Sequence, residues 1–177
     1  MLRHVAQRGA VWIQRGGRMR IFVSFVCGAL VGAVLLQAVA AQTNRMSRLN
    51  HVGIVVDNYD EALEFYTGAL GLRVAYTVPK PDGSPLLTYL QLNRETFIEL
   101  IPVDPGQQTG ITHFGIEFGD LESAVGRLRE HRVTVADPGL TPAKALYTRI
   151  RDLDNVDIEI MEFGPEAAQR KAMDAWR

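Results

Sequence analysis

Three features of the sequence predict an α+β fold built from two copies of one β-α-β-β-β unit. The first is an internal repeat. Residues 49–66 (LNHVGIVVDNYDEALEFY) align without a gap on residues 111–128 (ITHFGIEFGDLESAVGRL), so that His51, Gly53, Ile54 and Ala62 fall on His113, Gly115, Ile116 and Ala124 at an offset of 62. The second is a later pair, Phe97–Ile101 and Asp157–Met161, at an offset of 60. Two segments repeated in one order at nearly one spacing mark a duplicated half-domain, since a solenoid needs three or more copies. The third is that each half sets one helical pattern among short strand-like runs with no long linker between them.

In the first half, Leu49–Val56 is an apolar, β-branched run and reads as a strand. Asp57 and Asn58 supply N-cap chemistry, and Asp60 and Glu61 acidify the first helical turn. Ala62, Leu63, Phe65, Tyr66, Ala69 and Leu70 recur at helical spacing, with Gly68 and Gly71 to end the helix. Leu72–Val78 is a strand, residues 79–85 (PKPDGSP) form a turn, and Leu86–Leu92 pairs with Thr96–Ile101 as a hairpin. In the second half, Ile111–Phe118 is a strand and Asp120 caps a helix running to His131, a basic residue suited to a helix C-terminus. Strands are predicted at Val133–Val135, Ala145–Arg151 and Asp157–Phe163. Pro165 then opens a last helix, Glu166–Trp176, by the preference of proline for the first helical position.

The chain has 177 residues, 47% hydrophobic and 22% charged, which suits one globular domain. Its single cysteine, Cys27, excludes an internal disulfide framework and a cysteine-based metal site. Residues 1–41 carry five arginines and no acid, leaving 14 basic and 20 acidic side chains in the rest, a net of −6. That acidic body argues against nucleic acid as a partner, because phosphate backbones need clustered cations. Residues 15–20 (RGGRMR) precede the apolar run at 21–36 and the small residues Ala38–Ala41, as in a secretory signal cleaved near residues 40–42. The alternative is a membrane anchor, since residues 21–41 are enough to span about 30 Å of hydrocarbon. Either reading exports the body, to the periplasm or beyond, and the only membrane contact expected is that anchor. Residues 42–48 read as a linker, 49–164 as a single domain with modules at 49–105 and 111–164, and 165–177 as a C-terminal helix.

Four residues carry the candidate chemistry. His51 and His113 are each third in the first strand of a half, and Glu99 and Glu159 lie within the last strand, flanked by apolar residues. Strand alternation leaves open whether Glu99 faces solvent, but apolar neighbours on both faces argue against it. A buried carboxylate needs a partner cation or a metal. Two imidazoles and two carboxylates related by an internal two-fold converge near its axis, and that donor set suits a borderline divalent ion such as Ni²⁺, Co²⁺, Zn²⁺ or Fe²⁺. Glu117 shares the face of His113 and reads as solvated or paired. Tyr66, Tyr76, Tyr89 and Tyr147 are either core or pocket, and Arg149 and Arg151 either bind an anionic substrate tail or pair with Asp152 or Asp154.

The segment LNHVGIVVDNYDEALEFYTGALGLRV (49–74) resembles the opening module of the vicinal oxygen chelate superfamily. That superfamily holds glyoxalase I, methylmalonyl-CoA epimerase, fosfomycin-resistance transferases, extradiol dioxygenases and bleomycin-binding proteins. ITHFGIEF resembles the start of its second module and TRIRDLDNVDIEIMEF its close, so the likeness covers 48–163. The usual close is Arg-Asp-Pro-Asp-Gly-Asn-x-Ile-Glu-Leu. Here Leu153, Asn155 and Val156 replace Pro, Gly and Asn, and Asn155 keeps a residue that tolerates left-handed backbone. The resemblance implies a cupped mixed sheet around one divalent ion (Ni, Co or Zn). It makes His51, Glu99, His113 and Glu159 the ligands, in the order found in bacterial glyoxalase I. Epimerases of the family usually carry Gln where Glu99 stands. The implied activity is a glyoxalase I-type lyase or isomerase, transferring a proton next to the carbonyl of a 2-oxoaldehyde–thiol adduct. The metal serves as Lewis acid, Glu159 as base and Glu99 as its partner. Two alternatives accompany it: an epimerase of the methylmalonyl-CoA type, and a non-catalytic module that binds a small molecule. The expected partners are a small-molecule substrate and a second copy of the chain in a homodimer.

Overall fold

The computed structural model describes residues 47–177. The expected leader at 1–41 and residues 42–46 of the expected linker lie outside the described residues. Among the described residues no helix is long and apolar enough to cross a membrane. The last two linker residues are already strand: β1 spans Ser47–Val56.

The first module continues with helix α1 (Tyr59–Glu64), β2 (Arg73–Pro79), β3 (Pro85–Gln91) and β4 (Phe97–Pro102). Asn58 caps α1 by accepting from the Glu61 N–H at 3.3 Å. The helix then widens over Phe65–Ala69, where the Leu70 N–H reaches back five residues to the Phe65 carbonyl. Gly68 therefore lies inside the helical segment, and Gly71, at φ +70°, ends it. The second module holds β5 (Gly110–Phe118), α2 (Leu121–Glu130), β6 (Gly139–Leu140), β7 (Leu146–Arg151) and β8 (Asp157–Glu162). Asp120 caps α2 and His131 ends it, as the sequence suggests.

Two further expectations, a strand and a helix start, differ from the structure. The strand predicted at Val133–Val135 is absent, and the short strand forms at Gly139–Leu140 against Tyr147 and Leu146. Residues 133–136 leave α2 through Arg132 at φ +62° and are tied down by side chains. Arg129 donates to the Val135 carbonyl and Thr148 to the Ala136 carbonyl, so the β-branched residues there pair with no strand. The final helix, α3, is Ala168–Asp174 and does not start at Pro165. Pro165 sits in a turn closed by the Ala167 N–H on the Gly164 carbonyl, and Ala167 is extended.

All eight strands join one curled mixed sheet in the order β2-β3-β4-β1-β5-β8-β7-β6. Each module pairs its first strand with its last in parallel, β1 with β4 and β5 with β8. The modules join through the antiparallel pair β1–β5, which is the axis of the internal symmetry. Tyr89, Phe97, Met161, Phe163 and Met173 form one buried cluster, and Leu121, Ala124, Val125 and Ile160 form another under α2. Asn155 has φ +66°, the left-handed turn expected for it.

Candidate metal centre

Register across the sheet builds the site. One row runs Phe97, His51, Gly115, Glu159 and Arg149 over β4, β1, β5, β8 and β7. The neighbouring row runs Tyr89, Glu99, Gly53 and His113 over β3, β4, β1 and β5. Residues opposite one another share a face. His51 thus stands beside Gly115, and His113 beside Gly53, at the symmetry axis. The glycines are required there. A Cβ on Gly53 would lie 2.0 Å from Cε1 of His113, and one on Gly115 would lie 2.0 Å from Cε1 of His51. Each half therefore carries His-x-Gly, its glycine clearing space for the other half's imidazole. The repeat shows both glycines, but their purpose is visible only in the β1–β5 register.

The four expected ligands are all buried and come together. One ligand atom from each of His51, Glu99, His113 and Glu159 lies within 4.8 Å of the others. Both imidazoles turn Nε2 to the centre while Nδ1 is held outside, by Asn50 Oδ1 at 3.2 Å for His51 and Thr112 Oγ1 at 3.0 Å for His113. Nε2 of His113 lies 2.8 Å from Glu99 and 3.6 Å from Glu159, and Nε2 of His51 lies 3.6 Å and 3.4 Å from the same two carboxylates.

This arrangement fits a divalent ion. Bonds of about 2.1 Å place adjacent ligands about 3.0 Å apart in an octahedron and about 3.4 Å apart in a tetrahedron, and the four spacings, 2.8, 3.4, 3.6 and 3.6 Å, lie in that range or about 0.2 Å outside it. Among the described residues His51 Nε2, fully buried, has no hydrogen-bond partner, an orphan that a metal bond would satisfy. The outer contacts on both Nδ1 atoms are the orienting hydrogen bonds that metal-bound histidines use.

Charge is arranged to match. Burial opposes ionisation of Glu159, but His51, His113 and Arg149 outweigh it and hold the carboxyl at about 2. Burial also works against a charged His113, and its hydrogen bond to Glu99 and the field of Glu159 overcome this and raise it. Arg149 donates to Glu159 at 2.5 Å, and Arg151 pairs with Asp157 at 2.9 Å. Neither arginine takes Asp152 or Asp154, because β7–β8 register sets Arg149 opposite Glu159 and Arg151 opposite Asp157. Glu117 is buried and paired: Arg48 binds it at 2.8 Å and Arg170 at 3.1 Å, tying β1, β5 and α3 together.

The two carboxylates open onto a cavity of about 130 Å³. Val78, Leu86, Leu87 and Met161 make much of its wall, and Tyr89 and Tyr147 join Glu99 and Glu159 as its titratable groups. Tyr89 stacks on Tyr76 at 4.9 Å and packs against Phe97, so it serves core and cavity at once. Gln169, from α3, also lines the cavity.

Residues 48–160 match the family model described as glyoxalase/bleomycin resistance protein/dioxygenase superfamily. The chain belongs to that superfamily. Its relatives include human mitochondrial methylmalonyl-CoA epimerase, 26% identical over 108 residues, or 55% of this chain and 61% of the relative. The chain thus spans about three fifths of the length of that curated relative. Among solved structures, methylmalonyl-CoA epimerase from Mycobacterium tuberculosis superposes with a TM-score of 0.58 at 25% identity, covering 67% of this chain and 89% of that one. A methylmalonyl-CoA epimerase in complex with methylmalonyl-CoA and ammonium shares the fold, with a TM-score of 0.60 at 18% identity over 69% of this chain and 98% of that one. These relatives are epimerases, so they support the alternative activity and lend nothing to the glyoxalase I reading.

Proposed function

We propose that this protein is a metal-dependent enzyme that moves a proton at the carbon next to a carbonyl, with epimerisation of a 2-substituted acyl thioester as the favoured reaction. One observation carries the proposal. Two carboxylates from the two modules meet two imidazoles at the wall of a small cavity, where, among the described residues, the other titratable side chains are two tyrosines. The epimerase relatives supply the substrate class.

A divalent ion bound by His51, Glu99, His113 and Glu159 would supply Lewis-acid stabilisation of the negative charge that develops on the substrate oxygen. The chain's own residues do the rest. Inverting a carbon centre requires a proton to leave one face and return on the other. Glu99 and Glu159, brought by opposite halves, are the pair we assign to this work. Arg149 depresses the basicity of Glu159, so Glu159 fills the role of base only when the guanidinium swings away. Among the described residues Glu99 has no arginine or lysine on it, and the two imidazoles are its cationic neighbours when protonated. The apolar wall excludes water from the exposed carbanionic carbon. The cavity is close in size to the roughly 150 Å³ that admits benzene in an engineered core. It therefore takes a small acyl group and leaves a bulky thiol carrier outside.

Glu99 itself favours a second reading. The family resemblance gives Gln at this position in epimerases and Glu in glyoxalase I, so hemithioacetal isomerisation is the rival. The protein loaded with Ni²⁺, Co²⁺ or Zn²⁺ is to be given methylmalonyl-CoA in D₂O, and separately the methylglyoxal–glutathione hemithioacetal. Deuterium at C2 with loss of optical purity supports the first reading. Conversion of the hemithioacetal alone replaces it with the second. Neither reaction, with metal bound, leaves a small-molecule-binding module. From the basic-then-apolar leader at 1–41 we propose that this chemistry takes place outside the cytoplasm, which fractionation of the producing cell tests. A homodimer is the corresponding proposal for assembly, tested by light scattering.

A further inference from the structure

Gln169 lies outside the repeated halves and outside the four-ligand set, yet it shares a cavity with Glu99 and Glu159. It is 1% exposed, and among the described residues its Oε1 has no hydrogen-bond partner. Leaving a buried amide oxygen unpaired is costly, and such an orphan in a folded protein calls for a function. The helix that carries it is firmly seated. Arg170 binds Glu117 at 3.1 Å, Gln91 Nε2 donates to the Ala172 carbonyl at 3.2 Å, and Met173 is buried in the core. The Ala168 N–H donates at 2.9 Å to the carbonyl of Ala143, itself a cavity residue. The backbone that carries the carboxamide is therefore held between helix and sheet. Among the described residues, no lysine or arginine lines this cavity.

We infer that Gln169 is a specificity-determining residue that accepts a hydrogen bond from a donor on the substrate, a hydroxyl or amide N–H, inside the cavity beside Glu99 and Glu159. The site selects a small acyl group bearing a neutral donor over an apolar group of the same size. This rests on the cavity being the substrate site proposed above.

Two probes of equal size test it: 4-hydroxy-2-oxobutanoate and 2-oxopentanoate, which differ by a hydroxyl in place of a terminal methyl. Each is titrated calorimetrically into the full chain loaded with Co²⁺. Wild type prefers the hydroxyl compound by about 10-fold, the scale of one buried hydrogen bond with its desolvation. Q169M, which keeps the side-chain length, reduces the preference to less than about twofold by weakening the hydroxyl compound alone. Equal affinities in wild type, no binding of either probe, or an unchanged preference in Q169M overturns the assignment. If Q169M fails to fold, the wild-type comparison decides alone. Failure of C2 exchange on acyl-CoA would reject the proposed reaction and leave a measured hydroxyl preference standing, so the two failures are distinguishable.

Discussion

Substituting Gly53 with alanine removes no donor atom and no charge, yet it should disable the metal centre. The new Cβ would sit 2.0 Å from His113 Cε1. An ordinary carbon–carbon contact is about 3.5 Å, so the imidazole must retreat by about 1.5 Å. A metal–nitrogen bond tolerates a change of only about 0.2 Å, so His113 leaves the ligand set. Structural zinc sites of four ligands bind with roughly 10–16 kcal/mol, or about 2.5–4 kcal/mol per ligand. Losing one weakens binding by about 100-fold or more. The displaced ring also overpacks its surroundings, at about 1–3 kcal/mol of stability in the metal-free protein. The assay is competition for Ni²⁺ or Co²⁺ against a chromophoric chelator, with thermal unfolding of the metal-free form alongside. Gly126→Ala is the control. It lies on the exposed side of α2 with nothing within 4 Å of a built Cβ, so metal affinity should hold while helix propensity adds up to about 1 kcal/mol. G53A binding metal within about threefold of wild type would refute the reasoning, and with it the claim that His-x-Gly in each half serves the other half's imidazole.

The remaining predictions concern the carboxylates and their partners. Glu99→Gln keeps an oxygen ligand, so metal affinity should fall by less than about 10-fold. If Glu99 is one of two proton carriers in this chain, inversion at C2 should drop by about 100-fold or more, read by chiral analysis of the product; inversion kept with Gln, the residue the family's epimerases usually carry here, would mean that Glu99 carries no proton. Arg149→Met should raise metal affinity several-fold, because the guanidinium and the cation compete for one oxygen of Glu159. An unchanged or lower affinity would mean that Arg149 orients the ligand. Metal-free protein should be most stable between about pH 4.5 and 6.5. Glu159 is depressed from 4.5 to about 2, so its contribution is present above 4.5 and lost as the pH falls toward 2. His113 is raised from 6.5, so its contribution is complete below 6.5 and lost as the pH climbs through the raised value. Thermal unfolding from pH 3 to 9 checks both limbs.

The sequence carries the site's donors because duplication writes them twice. His51 and His113, like Glu99 and Glu159, sit at equivalent places in two copies, and burial on a shared face follows from the apolar residues around them. What it could not carry is pairing between strands. Arg149 is fixed on Glu159 by the β7–β8 register, and no spacing along the chain shows that. Arg48 looks like linker until Glu117, 69 residues away, is seen between it and Arg170. The strand expected at Val133–Val135 rested on β-branched propensity, which lost to side-chain hydrogen bonds that hold the segment without a ladder. Pro165 has helix-opening chemistry, but a tight turn at Gly164–Ala167 uses it first. Gln169 had no signal at all, since only the docking of α3 brings it to the cavity.

A single cation held by His51, Glu99, His113 and Glu159 is the centre of the proposed chemistry. X-ray absorption at the metal edge, on protein loaded with Ni²⁺ or Co²⁺ and freed of excess metal, addresses this most directly. It should show one ion per chain with only nitrogen and oxygen neighbours at about 2.0–2.2 Å, and the H51A/H113A double variant should retain none. A chain that keeps no ion, or a double variant that holds it as tightly as wild type, would contradict the account.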